Sequence, residues 1–232
     1  MAARALAARC ARWVAVAAVD PTAAAGTAGS FAGYGVDVAV TLDPGPAPVA
    51  DARLPLPLLV AGWLRGQVGS AEIAGSAEIT VEVFPVAPGS GAAHCRRLGT
   101  ELGRRLGSED ARTGLLVLGD GAATHTLRAP GYFDPRAEAL DRAVARALRE
   151  ADPDTLLGLD ADLCDELLVA GREAWQVGTA AAQALAPAWH GQLLYSAAPF
   201  GVAYHVALWE VARGEPAQEE PADADPFAGP VP

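Results

Sequence analysis

Short apolar runs alternate with longer stretches of helical periodicity along most of this chain. The runs that predict strands are either compact and apolar or alternate apolar with polar side chains, as buried and half-buried strands do. The clearest is WVAVAAV at residues 13–19, and LLVL at residues 115–118 predicts a short strand with no polar side chain. Further strands are predicted at residues 36–42, 79–86, 190–195 and 202–209.

The intervening segments predict helices. Residues 92–106 are amphipathic with an Arg-rich face, and residues 54–64 are apolar on most sides, so Trp63 is expected in the core. Asp134-Pro135 and Asp152-Pro153 each place Pro after an N-cap acceptor, which predicts one helix to about residue 150 and a shorter one after it. The remaining helices are predicted at residues 5–12, 160–171 and 175–185.

This alternation of strands and helices predicts an α/β fold with a central, mostly parallel sheet flanked by helices on both faces. A length of 232 residues suits one hydrophobic core, so a single domain is expected over residues 1–213. Residues 214–232 are acidic, rich in Pro and poor in apolar side chains, which predicts a disordered tail.

The net charge of the chain limits its possible binding partners, and its cysteines indicate the cellular compartment. The formal net charge is −11, and an acidic protein without a basic patch repels the phosphate backbone, so no nucleic acid partner is expected. No apolar run reaches the ~20 residues that span a bilayer, so neither a transmembrane helix nor a membrane partner is predicted. The cysteines lack the spacing of zinc sites or disulfide frameworks, which favours a reducing cytoplasm. They are Cys10, Cys95 and Cys164.

The first candidate for a functional site is the loop at residues 119–134, which follows the strand predicted at residues 115–118. Its sequence is GDGAATHTLRAPGYFD. His125 in this loop is flanked by Thr124 and Thr126, and a histidine just beyond a buried strand could act as a general base near neutral pH. The alternative is a polar loop residue whose hydrogen bonds stabilise the turn. Asp120 lies at the start of the same loop, where ligands collect in α/β sheets.

Three segments carry a resemblance to a known family: residues 115–159, AGREAWQV at residues 170–177, and LLYSAAPFGVAYHVALW at residues 193–209. In this order they resemble the class III extradiol ring-cleavage dioxygenases, and most closely the LigB-like proteins of that family. The likeness extends to about Trp209 and implies the LigB-like α/β fold. It also implies that His125 is the active-site base, with Asp120, Thr124 and Asp20 in or near a pocket for a small aromatic ligand.

The family holds Fe(II) through two histidines and one glutamate, a facial triad with open positions for substrate and O₂. Glu173 matches the position of the glutamate, although an ordinary surface ion pair with Arg172 is the alternative. The first histidine would lie on a strand before Met1, which we expect this chain to lack, and the second is replaced by Asp20-Pro21-Thr22. Because oxygen ligands alone bind iron weakly, we predict that this chain does not bind iron tightly.

Two functions therefore stay open. One is a LigB-like dioxygenase, or an enzyme derived from it, with His125, Glu173 and Asp20 gathered in one site and Fe(II) as cofactor if the metal site is retained. The other is a binding or assembly protein that keeps the fold without catalysis, for which no cofactor is predicted and these side chains lie apart or are bonded internally. Loss of the family's first strand would leave an unpaired sheet edge, which predicts either homo-oligomerisation or an unstable chain.

Overall fold

The computed structural model describes residues 2–45, 54–68 and 78–212, so the tail predicted at residues 214–232 lies outside the described residues. Its helices are α1 (Ala2–Ala7), α2 (Leu56–Gly66), α3 (Ala92–Gly107), α4 (Ala137–Glu150), α5 (Pro153–Leu157), α6 (Ala161–Glu166) and α7 (Arg172–Leu185). Its strands are β1 (Arg12–Ala18), β2 (Ala28–Ser30), β3 (Ala39–Thr41), β4 (Thr80–Val86), β5 (Thr113–Leu118), β6 (Trp189–Ala197) and β7 (Tyr204–Val211). Within these ranges no helix has the length and apolar character needed to cross a membrane.

A parallel sheet with the strand order β4-β1-β5 forms the centre of the fold. The predicted α/β class, with a parallel sheet flanked by helices, is confirmed. The remaining strands form two separate antiparallel pairs, β2 with β3 and β6 with β7. The two strands predicted last in the chain are therefore present, but they pair with each other as a hairpin and not with the central sheet.

The two faces of β1 bury different side chains. Trp13, Ala15 and Ala17 pack in a cluster with α1 and α2, and Val14 and Val16 pack with α3 and α7. All five side chains are completely buried, and burial of each valine contributes roughly 1.5–3 kcal/mol. This explains why the sequence of β1 is a continuous apolar run: a strand covered on both faces has no solvent-facing side.

Helices α3 and α7 cross closely because α3 has glycine where the two backbones meet. A Cβ on Gly99 would lie 2.3 Å from the Val177 carbonyl oxygen, and one on Gly103 would lie 2.5 Å from the Ala181 carbonyl oxygen. A larger residue at either position would therefore force the two helices apart. The tight crossing encloses the start of α7, where Arg172 and Glu173 are buried.

Several sequence predictions need correction. The helix predicted at residues 5–12 lies at Ala2–Ala7, and β1 already begins at Arg12. Trp63 is 44% exposed and not in the core, because it lies at the edge of the side of α2 that buries Leu58, Leu59 and Ala61. The strand predicted at residues 36–42 is only the three residues of β3, since its partner β2 is equally short. The helix predicted to end near residue 171 ends at Glu166, and Leu168 then adopts a left-handed φ of +55°.

Candidate functional site

The loop after β5, residues 119–134, is fixed against the start of α7 and against the β6–β7 hairpin. A Cβ on Gly119 would lie 2.2 Å from Cα of Gly171, so the two backbones are in contact. The backbone N–H of His125 donates to the carbonyl of Gly201 at 3.1 Å, and Gly201 has a φ of +81° that favours glycine. The loop therefore lies at the carboxyl edge of the sheet, where ligands bind in α/β folds.

A single buried carboxylate organises this loop. Asp141 of α4 is 5% exposed and lies 2.6 Å from Nε2 of His125 and 3.1 Å from Nε2 of His205. The backbone N–H of Ala122 donates to the same carboxylate at 3.2 Å. On the other side of His205, the Ser196 hydroxyl lies 3.0 Å from Nδ1. Asp141 of the helix thus joins two groups of the loop and, directly or through His205, two groups of the hairpin.

These contacts favour one tautomer for each of the two imidazoles. An ionised carboxylate only accepts hydrogen bonds, so both histidines present N–H at Nε2 to Asp141. In the neutral imidazole, Nδ1 then carries the lone pair. Nδ1 of His205 accepts from Ser196, whereas Nδ1 of His125 has no hydrogen-bond partner among the residues that the structure describes. The His125 side chain is 16% exposed, so this nitrogen is the accessible acceptor of the network.

The loop also holds the carboxyl group of Asp120 and the hydroxyl of Thr124. Neither group has a hydrogen-bond partner among the described residues. Asp120 is half-buried, and burial raises the pKa of its carboxyl group above the usual value. The pKa of Tyr204 is also raised, mainly by burial and in addition by the charge of Asp120. Thr124 is 1% exposed, and its hydroxyl has no hydrogen-bond partner in the part of the chain that the structure describes.

Large apolar side chains are exposed around the same loop. Tyr132 is 62% exposed, Phe133 is 50% exposed and Phe200, at the tip of the β6–β7 hairpin, is 82% exposed. Tyr132 also has a left-handed φ of +63°, a conformation uncommon for a bulky residue. Exposed aromatic residues beside unpaired polar groups are typical of ligand-binding surfaces.

Glu173, the residue that the resemblance implies as an iron ligand, lies inside the protein at the start of α7. Its Oε1 accepts from Nη2 of Arg172 at 2.9 Å and from the backbone N–H of Gly89 at 2.8 Å. Arg172 also donates to the carbonyl of Ser90 at 3.1 Å. The expected ion pair with Arg172 is present, but it is buried and not on the surface, since the two side chains are 2% and 7% exposed.

The residues present do not fit the iron centre that the resemblance implies. Glu173 shares its oxygen with a guanidinium group, which would repel a metal ion, and no histidine bonds to it in the described ranges. The Nε2 atoms of His125 and His205 are both occupied by Asp141. Across residues 2–45, 54–68 and 78–212, no group of three or more His, Cys, Asp and Glu side chains could hold a metal ion.

Asp20 does not join the loop site through any hydrogen bond that the structure describes. It is exposed at the end of β1, and its carboxylate accepts from the backbone N–H and the hydroxyl of Thr22 at 2.8 Å and 2.7 Å. These bonds lower the pKa of the Asp20 carboxyl, the side-chain bond most and the backbone bond next. Asp20 therefore stabilises the turn that follows β1, and its role in a pocket stays a prediction.

Asp141 and His205 were not predicted from the sequence to be site residues. Asp141 interrupts the apolar stripe of α4 between Leu140 and Val144, and a carboxylate on a buried helix face requires a partner. That interruption was the available signal. It did not show which residue would be the partner, because His125 is 16 residues and His205 is 64 residues away in sequence.

No known protein family has a model that matches this chain, and no curated protein matches its sequence. What the site can do therefore has to be inferred from its own geometry.

Proposed function

We propose that this chain is a LigB-like protein without the iron centre of that family, and that it binds a small phenolic or catecholic ligand at the loop of residues 119–134. The observation that supports this most is the state of His125. Asp141 holds the Nε2–H of its imidazole at 2.6 Å, and Nδ1 is left as an accessible acceptor. A phenolic O–H is a matching donor.

The surroundings of His125 suit such a ligand. A phenol that donates to Nδ1 gains a hydrogen bond worth about 0.5–1.5 kcal/mol net, and a second hydroxyl could donate to the unpaired carboxylate of Asp120. The exposed rings of Tyr132, Phe133 and Phe200 supply aromatic surface near the same loop. The buried, unpaired cysteines fit the reducing cytoplasm expected for this protein.

A second candidate function is proton abstraction by His125. A carboxylate that fixes the Nε2–H tautomer and stabilises the imidazolium is the arrangement by which a histidine acts as a general base. This activity would need no metal. It differs from simple binding in that turnover, and not only affinity, would depend on the Asp141–His125 contact.

The proposal is tested by calorimetric titration of the full chain with catechol, phenol and benzene under anaerobic conditions. We expect catechol and phenol to bind and benzene not to bind. His125→Ala should weaken catechol binding by about tenfold, the equivalent of ~1.4 kcal/mol. His94→Ala is the matched control, since His94 is exposed on α3 and contacts Arg97.

Two results would contradict the proposal. Catechol affinity that is unchanged in His125→Ala would place the ligand elsewhere. Stoichiometric iron that survives desalting after anaerobic loading, together with oxygen consumption on catechol, would show that the metal chemistry of the family is retained. Turnover of an acidic substrate by metal-free protein, lost in His125→Ala, would instead identify general-base catalysis.

A further inference from the structure

Ser196 and His205 lie opposite each other on the β6–β7 hairpin. The register of the antiparallel pair aligns the two residues directly, and the Ser196 hydroxyl lies 3.0 Å from Nδ1 of His205. On the other side of the imidazole ring, Nε2 lies 3.1 Å from Oδ1 of Asp141. A hydroxyl, an imidazole and a carboxylate are therefore joined by two successive hydrogen bonds.

A register shift in β6 puts the serine at this position. Gly191 lies on the face of the hairpin toward α4, since a Cβ there would lie 2.7 Å from a backbone oxygen of that helix. Simple alternation from Gly191 would continue with Leu193 and then Tyr195 on the same face. The pairing with β7 shifts between Leu193 and Tyr195, so Ser196 is the residue opposite His205. Bulges of this kind re-aim side chains and are frequent beside active sites.

The three side chains differ in their access to solvent as nucleophilic catalysis requires. Ser196 is exposed, whereas the side chains of His205 and Asp141 are only 3% and 7% exposed. The ionised carboxylate accepts the Nε2–H of His205, so Nδ1 keeps the lone pair that faces the serine hydroxyl. A buried carboxylate thus orients an imidazole that can take the proton of an accessible serine.

We propose that Ser196 is a nucleophile that hydrolyses aryl esters of small carboxylic acids, with His205 as its general base. Asp141 positions the base. The serine faces Nδ1 and the carboxylate faces Nε2, the reverse of the chymotrypsin arrangement, but either ring nitrogen accepts a proton while the other keeps its N–H. The activity goes beyond the ligand site at His125 and shares only Asp141 with it.

The reaction has two steps. In the first, Oγ of Ser196 attacks the ester carbonyl carbon, the hydroxyl proton moves to Nδ1 of His205, and the bond from that carbon to the aryl oxygen breaks. The phenolate leaves and takes the proton from the imidazolium, so the acyl group is now esterified to Ser196. In the second, water attacks the acyl carbon and gives a proton to Nδ1, the bond to Oγ breaks, and Oγ recovers the proton. Ester and water thus become carboxylic acid and phenol.

The chemistry of these groups favours an aryl ester over an alkyl ester or an amide. A phenol has a pKa of about 10, so phenolate leaves more readily than an alkoxide or an amine, whose departure depends on a well-placed acid. Phe200 is 82% exposed in the turn between β6 and β7, where it supplies aromatic surface on the same hairpin as Ser196.

The test is acetylation of the full chain by 4-nitrophenyl acetate, read by the absorbance of released 4-nitrophenolate and by mass spectrometry of the digested protein. The chain contains no lysine and its three cysteines are buried, so few other groups compete for the acetyl group. Ser196→Ala removes the nucleophile, and His205→Gln removes the base. Ser108→Ala is the matched control, since Ser108 is exposed after α3 and its hydroxyl donates to a backbone carbonyl at 2.8 Å.

We expect a stoichiometric burst of 4-nitrophenolate and one acetyl group on Ser196, because a serine ester is less activated than an aryl ester and therefore accumulates. Ser196→Ala should lose the burst, and Ser108→Ala should behave as the wild type. His205→Gln should slow the burst at least about a hundredfold, the least that a general base contributes. Because Ser196 is exposed, its variant should fold, and the site of acetylation in the wild-type chain needs no variant.

Three results would overturn the proposal: no burst in the wild-type chain, a burst that Ser196→Ala retains, or acetyl groups found on histidine alone. So would imidazole nitrogen shifts that show the Nδ1–H tautomer of His205 in the wild type, since Nδ1 could then not accept the serine proton. Ser196→Ala should bind catechol as the wild type does, so failure of this hydrolysis is distinguishable from failure of the ligand site.

Discussion

Arg172 and Glu173 are neighbours in sequence, and they form an ion pair inside the protein with Nη2 2.9 Å from Oε1. Adjacent residues of a helix normally point in different directions. Here the first turn of α7 lies beneath the loop after β4, so both side chains reach the backbone of Gly89 and Ser90. The pair joins α7 to that loop.

We predict that Glu173→Gln lowers the free energy of unfolding by about 3–5 kcal/mol, because it leaves the buried guanidinium of Arg172 without its counter-charge. Chemical denaturation of metal-free protein measures this. Glu138→Gln is the control, since Glu138 pairs with Arg142 on the surface and should change stability by less than about 1 kcal/mol. A Glu173→Gln protein as stable as the wild type would show that this ion pair does not stabilise the fold.

Asp141 should be more important for stability than either histidine that it contacts. Asp141→Asn removes the carboxylate that accepts from His125, His205 and Ala122, and we expect a loss of about 3 kcal/mol in the free energy of unfolding. In wild-type protein, imidazole nitrogen shifts measured by NMR should show the Nε2–H tautomer for both histidines at neutral pH. Nδ1–H tautomers in the wild type would refute the described network.

Much of the fold could be predicted from the sequence because its strongest elements have local signals. β1 was predicted at residues 13–19 and α3 at residues 92–106, each within about one residue of the observed bounds. Trp63 was placed wrongly because α2 is apolar on most sides, so periodicity could not show which side is buried. The pairing of β6 with β7 apart from the central sheet depends on tertiary contacts that no local pattern records.

The candidate site was only partly accessible from sequence for a similar reason. The loop with His125 could be identified, because a histidine that follows a buried strand is a local signal. Its partner Asp141 could not be assigned, since the contact depends on how α4 packs against the loop. The burial of Arg172 and Glu173 likewise follows from the close crossing of α3 and α7.

That crossing gives a test of the packing. Gly99→Ala would place a Cβ 2.3 Å from the backbone oxygen of Val177, so the helices would have to separate, and we expect a loss of about 1–3 kcal/mol in the free energy of unfolding. Gly107→Ala, in the same helix, would meet only Leu185 at 3.7 Å. It should be neutral or stabilising by up to about 1 kcal/mol, because alanine favours helix. Thermal and denaturant unfolding of both variants would show whether the two glycines differ in this way.

The buried carboxyl group of Asp120 should lower the free energy of unfolding at neutral pH, a cost that we attribute to its role in the site. Burial raises the pKa of its carboxyl in the folded protein, so its contribution to stability is present at low pH and is lost as the pH rises through that pKa. Asp120→Asn removes this titration. We therefore expect the variant to gain stability relative to wild type between about pH 3 and pH 7, as measured by denaturation at each pH. If the carboxylate also accepts a hydrogen bond from the ligand, the same variant should bind catechol more weakly at pH 7. A variant less stable than wild type at pH 7 but equal to it at pH 3 would indicate that the ionised carboxylate has a stabilising partner.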